Sequence, residues 1–313
     1  MGKLILAELE DEDLVEQLGL SNDMELDDFD LEAYREPFWA YLPDYLGDLA
    51  LLDEQTLCAC NAAVESLQRA CGSIADSAES ATLAKRLLQE ESVSSARIEG
   101  IDATMEALAE LERLRAAGVR RRDLLASQSA LDIADVLSDY ACNPQRTISV
   151  DEICEINGRV ASTSNVAERC GCLRETQVWI GGISDSISDA AYVPPPAEYL
   201  DDYMRDLRRY IERGLGSSMN PVALAALAHA QLALVHPFED GNGRTARILS
   251  QLVLCWSGLT RGVVVPVSKA LLERRSTYID MLVTMQEAYG VKADPNQFVR
   301  FFCWAVEEAV RLE

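Results

Sequence analysis

Histidine is scarce in this 313-residue chain, and His229 and His236 are all the imidazole it offers. Basic residues are few as well: Lys and Arg sum to 28 against 52 Asp and Glu, a formal net charge of −24. So acidic a surface repels a phosphate backbone and speaks against a nucleic-acid groove, although a few well-placed arginines can still form a local phosphate site. No long hydrophobic run is present. The most apolar stretch, Pro221 to Val235, is alanine-rich and interrupted by His229 and Gln231. It falls short of the about 20 apolar residues a membrane span needs and predicts a buried helix. The N-terminus turns acidic after three apolar residues and lacks the core of a secretory leader, so the expectation is a cytoplasmic protein with no membrane partner. The nine cysteines are odd in number and irregularly placed, which excludes a secreted disulfide framework. Cys58 with Cys60 and Cys170 with Cys172 do not have structural-zinc spacing.

What is present is enough apolar material for a large core, 49% of residues. Residues 1–36 read as an acidic N-terminal arm: from Glu8 to Glu36 there are 13 acidic residues and one basic residue, Arg35. The run EPFWAYLPDYLGDLALL then reads as an entry loop packing on a domain. Amphipathic helical periodicity follows over Ala81 to Glu91, Ala103 to Ala117, Arg121 to Tyr140, Val150 to Ser162 and Glu198 to Arg213. It resumes over Val222 to Leu234, Asn242 to Trp256, Lys269 to Tyr289 and Pro295 to Leu312, and the fold class is all-α. One stretch departs from this. Thr176 to Gly182 and Ala190 to Pro196 are β-prone runs around a polar turn, and they predict a short β-hairpin that packs on the helices or acts as a flap.

The chemistry concentrates at His236 to Arg247, HPFEDGNGRTAR. Gly241-Asn242-Gly243 can turn so that successive backbone N–H groups converge, and the following helix directs its N-terminal dipole at an anion. Arg244 and Arg247 are three apart, on nearly one helix face beyond that nest, where they can pair with further phosphate oxygens. Asp240 precedes the nest, and one carboxylate with phosphate oxygens and water suits Mg²⁺. His236, titrating near neutrality, is the natural base for an attacking hydroxyl, and Phe238 would point into the core and fix the loop. Each part alone has an ordinary structural reading: a helix end, a turn, a solvated Arg pair. Together they fit the handling of a nucleotide polyphosphate.

The segment resembles the Fic family motif HPFx(D/E)GNGRxxR at every fixed position. The resemblance implies a Fic-fold helical bundle that uses ATP and Mg²⁺ to transfer AMP to a Tyr, Thr or Ser hydroxyl of a protein, itself included. It gives His236 the role of base and Asp240 that of metal ligand. Gly241, Asn242 and Gly243 become the nest, and Arg244 and Arg247 the phosphate contacts. Gly171, Arg174 and the run Gln177, Val178, Trp179, Ile180 and Gly181 resemble the family's flap region, which holds a target peptide by strand addition.

Upstream, Ser95, Glu99 and Gly100 in ESVSSARIEG resemble the family's inhibitory motif (S/T)xxxE(G/N). The resemblance implies that Glu99 pairs with Arg247 and occupies the place of the γ-phosphate. The implied organisation is an arm (1–36), an N-terminal helical region carrying the inhibitory motif (37–118), and a catalytic core with C-terminal helices (119–313). Relatives commonly dimerise, which leaves a homodimer open. Where relatives often carry Asn-Arg-x-x-Tyr-Tyr, only Arg275 and Tyr278 remain, which puts nucleotide-base contacts there in doubt. Two alternatives stand beside AMP transfer: removal of AMP from a modified protein with the same residues, and a nucleotide-sensing interaction module in which the acidic arm engages a partner and transfer is incidental.

Overall fold

The computed structural model describes residues 2–9, 37–48, 52–119, 125–141, 147–181, 187–286 and 293–311. The described residues form eleven α-helices and one two-stranded sheet. In chain order the helices are α1 (Glu54–Ala75), α2 (Ser80–Ile98), α3 (Met105–Ala116), α4 (Leu125–Ala141), α5 (Val150–Val160) and α6 (Leu200–Leu215). They continue with α7 (Pro221–Val235), α8 (Asn242–Trp256), α9 (Val267–Glu273), α10 (Arg275–Val283) and α11 (Pro295–Ala309). The expected predominantly helical architecture is therefore present.

Local chemistry sets the helix starts. Asp53 caps α1 by accepting from Thr56 N at 2.7 Å. At α5, Ser149 and Glu152 form a reciprocal capping box, so two otherwise unpaired N–H groups are satisfied. Asn220 caps α7, and Pro221 takes the first turn, where its missing N–H costs nothing.

The middle of the molecule is α7, apolar on every side and packed between α6, α8 and α11. It is the buried helix expected from Pro221 to Val235, and no helix among the described residues is long and apolar enough to cross a membrane. A short loop reverses the chain from α7 into α8, and this helical hairpin holds the HPFEDGNGR segment.

Four expectations need correction. The first residues of the supposed arm are folded: β1 (Lys3–Ala7) pairs antiparallel with β2 (Phe38–Leu42), in register from Lys3 opposite Leu42 to Ala7 opposite Phe38. FWAYL is thus a strand rather than an entry loop; Phe38, Ala40 and Leu42 face inward, while Trp39 is 60% exposed. The rest of the acidic segment, 10–36, lies outside the described residues. The hairpin of residues 176–196 reduces to a single antiparallel bridge between Ile180 and Tyr192, with 182–186 outside the described residues. Its support is β2, because Tyr41 N donates to Val193 O at 2.9 Å and Phe38 and Ala40 pack with Trp179, Ile187 and Val193. Finally, the single helix expected over Lys269 to Tyr289 is interrupted at Arg274, whose backbone leaves helical geometry (φ −123°, ψ 45°) while its guanidinium stacks on Trp304 at 4.2 Å.

Candidate active site

The site starts where α7 ends. His236 terminates the helix in left-handed geometry (φ 48°, ψ 57°), and Pro237 follows it. A non-glycine residue there stores roughly 1–3 kcal/mol of strain, so the surroundings must hold it. Arg174 does much of that holding. Its Nε donates to His236 O at 2.9 Å, its backbone N–H to Pro237 O at 2.9 Å, and its other guanidine nitrogens to Thr176 O and Pro195 O. One buried side chain thus ties both flap segments to the loop.

The imidazole Nδ1 lies 3.1 Å from Ala233 O. A carbonyl only accepts, so Nδ1 carries the proton and Nε2 keeps the lone pair a base needs. Burial pushes the His236 pKa down to about 4, and the Arg174 charge adds to this; the Ala233 bond and the Glu99 and Asp240 charges oppose it. The ring is therefore neutral at physiological pH.

Phe238 is fully buried and anchors the loop, and Asn242 clamps it twice: Phe238 N donates to Asn242 Oδ1 at 3.0 Å, and Asn242 Nδ2 donates to Phe238 O at 2.7 Å. Gly241 opens α8 at φ 79°, a backbone conformation that favours glycine, and no side chain caps the helix there. The first turn of α8 is thereby open to an anion.

Sequence reasoning missed Asn157 on α5. Its Nδ2 donates to Asp240 O at 2.8 Å and reaches Thr245 Oγ1 at 3.3 Å, while its Oδ1 accepts from Gly171 N at 3.0 Å. A fully buried amide therefore joins the loop to the root of the flap. Its one signal is a polar residue within the apolar stripe Ile153, Ile156 and Val160. Thr176 was missed too; it donates to Glu239 Oε1 at 2.7 Å.

Asp240 stands at the mouth, its side chain 43% exposed. Burial raises its pKa, but hydrogen bonding from Ser164, the Arg244 charge and the Gly241 N–H outweigh that and leave it below the usual range. It is an ionised carboxylate. Arg244 reaches it at 3.0 Å and also donates to Val160 O at 2.6 Å and Ser129 Oγ at 3.2 Å.

Arg247, one turn along, is held by α2. Its Nε donates to Ser95 Oγ at 2.8 Å, and its Nη2 donates to Ser95 O at 3.0 Å and Glu99 Oε1 at 2.6 Å. Glu99 sits where α2 ends. Gly100 (φ 79°) follows it, with Gly100 N bonded to Arg97 O and Ile101 N to Ala96 O, the double closure of a Schellman turn. Gly243 leaves room for the approach, since a Cβ there would collide with the Glu99 carboxylate. In the flap, Gln177 is buried and donates to Val178 O and Pro194 O, Trp179 packs on the sheet, and Ile180 and Gly181 are exposed. On α10, Arg275 Nε donates to Ile98 O at 2.7 Å, and the Tyr278 hydroxyl lies 2.8 Å from His229 Nε2.

One loop and one helical turn thus bring together a half-buried neutral imidazole, an ionised carboxylate, an uncapped helix N-terminus and two arginines. Residues 147–254 match the family model described as the Fic/DOC family. Protein adenylyltransferase fic-1 of Caenorhabditis briggsae is 38% identical over 120 residues, which are 38% of this chain and 22% of that protein. Protein adenylyltransferase Fic of Drosophila ananassae is 32% identical over 182 residues, 58% of this chain and 32% of that protein. The chain thus spans less than a third of the length of the curated relatives it matches. In three dimensions it is similar to Fic-1 of Caenorhabditis elegans, with a TM-score of 0.60 at 22% identity, over 80% of this chain and 71% of that one, a likeness of fold.

Proposed function

We propose that this chain is a self-inhibited protein adenylyltransferase, which moves AMP from ATP to a Tyr, Thr or Ser hydroxyl of a protein in the cytoplasm, itself included. The observation that carries the reading is the tautomer of His236: with Nδ1–H spent on Ala233 O, Nε2 faces the chemistry as a neutral base. Beside it lie Asp240 and the open start of α8.

The target hydroxyl gives its proton to His236 Nε2, and its oxygen bonds to the α-phosphorus. The bond from that phosphorus to the bridging oxygen breaks, and pyrophosphate leaves with the electron pair. The first-turn amides of α8, Arg244 and Arg247 stabilise the charge that accumulates on the phosphate oxygens. Asp240, ionised and half-exposed, suits Mg²⁺, which supplies charge neutralisation for the polyphosphate when bound. Gln177 to Gly181 would receive the target backbone as an added strand, with β2 stiffening that edge.

Glu99 supports the self-inhibited half of the reading. It holds the same guanidinium that the terminal phosphates of ATP require, so α2 and a productively seated polyphosphate compete. The test is to incubate the Glu99→Gly protein with Mg²⁺ and either α-³²P-ATP or γ-³²P-ATP. Protein-bound label from the α-phosphate alone is expected. Label from the γ-phosphate would make the site a phosphotransferase and overturn the proposal.

A further inference from the structure

A helix leaves its last four carbonyls without partners in its own ladder, so the groups that satisfy them are the groups that hold its end. At the end of α2 these carbonyls are Ser95 O, Ala96 O, Arg97 O and Ile98 O. Two are closed from within the turn: Ala96 O accepts from Glu99 N and Ile101 N, and Arg97 O accepts from Gly100 N. The other two accept from arginines of other helices. Arg247 Nη2 on α8 donates to Ser95 O at 3.0 Å, and Arg275 Nε on α10 donates to Ile98 O at 2.7 Å.

These two arginines stand in different places. Arg247 is buried in the site and is the guanidinium that the polyphosphate requires in the reading above. Arg275 is exposed, lies outside the HPFEDGNGR segment, and opens α10 directly after the break at Arg274. Its hydrogen bond nevertheless bears on Glu99, because Ile98 O and Glu99 N belong to one planar peptide unit. The N–H side of that unit is held by Ala96 O and the carbonyl side by Arg275. The Ile98 side chain is 4% exposed and packs in the core, so the residue that enters the peptide is fixed as well. With the plane set at both ends, the Glu99 Cα and the direction in which its carboxylate leaves the backbone are set too. The Arg275 charge also stands at the negative end of the α2 dipole, where a cation is favourable.

We propose that Arg275 is a second latch on α2, which fixes the peptide unit that carries Glu99 and thereby keeps the Glu99 carboxylate on Arg247. The inference rests on the self-inhibited adenylyltransferase reading above and deepens it by naming a residue beyond the catalytic loop that holds the inhibitory contact in place. A residue with that role acts only while Glu99 is present.

The experiment measures initial rates of label transfer from α-³²P-ATP with Mg²⁺ for the parent, Arg275→Ala, Arg275→Lys, Glu99→Gly, and Glu99→Gly combined with Arg275→Ala. Arg275→Ala is expected to raise transfer about fivefold over the parent, the equivalent of about 1 kcal/mol and the usual net worth of one hydrogen bond. Arg275→Lys keeps a donor and a charge at the helix end and should stay close to the parent. In the Glu99→Gly background, Arg275→Ala should change neither the rate nor the ATP affinity measured by calorimetry. Thermal melting of each variant shows that it is folded. An unchanged or lower rate in Arg275→Ala would mean that Arg275 does not restrain α2. A rate or an ATP affinity that changes with Arg275 when Glu99 is already gone would mean that it serves the nucleotide or the fold at large; either result overturns the proposal. If the Glu99→Gly protein transfers no AMP, the adenylyltransferase reading fails and this proposal with it, a result distinct from the other two.

Discussion

Arg244 and Arg247 lie one helical turn apart on α8, both almost wholly buried, yet opposite kinds of structure hold them. Arg244 is bound to the core: Val160 O on α5, Ser129 on α4 and Asp240 in the catalytic loop. Arg247 is bound chiefly to α2 through Ser95 and a Glu99 side chain that is still 36% exposed. The first set of contacts cannot be lost without disturbing the domain, whereas the second can be lost by shifting one helix end. Two similar side chains in one motif thus differ in kind: one is fixed to the core, and the other carries the contact through which the proposed self-inhibition would act.

The largest expected effect separates them by what Arg244 supports. Arg244→Ala should lower AMP transfer roughly 100- to 1000-fold, the usual cost of removing a transition-state donor, and equally with Glu99 present or removed. It also leaves Val160 O buried without its donor, at a cost of about 1–3 kcal/mol, so melting should fall as well. Initial rates and melting curves in both backgrounds check this; a loss that depends on Glu99 would break the division. A smaller effect belongs to the α2 side. Ser95→Ala removes one charge-assisted hydrogen bond from Arg247 and should raise transfer by roughly tenfold, at the low end of what such a bond contributes. Rates of the variant and parent at equal ATP measure it, and a decrease would mean that Ser95 positions Arg247 for catalysis instead of restraining it.

The smallest effect depends on pH. Glu91 fixes the middle of α2 by accepting from Ser268 N at 2.7 Å and Ser268 Oγ at 2.6 Å, with Arg247 and Gln251 of α8 nearby. Burial pushes its pKa up to about 7; the Ser268 bonds, the Arg247 charge and Gln251 pull the other way. A folded-state pKa raised above the unfolded value means that the contribution is full below about pH 4.5 and is lost as pH rises through about 7. Docking of α2 should therefore weaken between pH 5.5 and 8. The parent should lose a few degrees of melting temperature over that range relative to Glu91→Gln, on the order of 1 kcal/mol. Parallel curves would remove Glu91 from the control of α2. Asp240, held below the usual carboxylate range, stays ionised over the same window, so the Arg244 side should show no such change.

How much of this could be read from the chain depended on sequence distance. The catalytic loop is contiguous, so base, carboxylate, nest and both arginines are visible in HPFEDGNGRTAR, and so is the apolar helix that delivers it. The Glu99–Arg247 contact needed the family resemblance, because Ser95 and Glu99 meet Arg247 across about 150 residues. The β1–β2 pairing was not legible: KLILA is short, and its partner lies about 30 residues on, across a long acidic stretch. Asn157 and His229 went unassigned, and Arg174 was placed only in the flap region, because their roles come from packing. Each is a buried polar group whose partners come from other elements, and periodicity reports only that a position faces inward. Tyr278 was weighed as a remnant of a base-contact run, and its burial against His229 gives it a different setting.

The central claim is that one site both transfers AMP and is restrained by Glu99. The measurement that tests it most directly is the rate of label transfer from α-³²P-ATP with Mg²⁺ for the parent, Glu99→Gly, and Glu99→Gly combined with His236→Ala. Loss of the Glu99–Arg247 contact should raise the rate roughly tenfold to more than a hundredfold over the parent, and the added His236→Ala should abolish it. Equal rates in parent and Glu99→Gly, or transfer that survives without His236, would contradict the account.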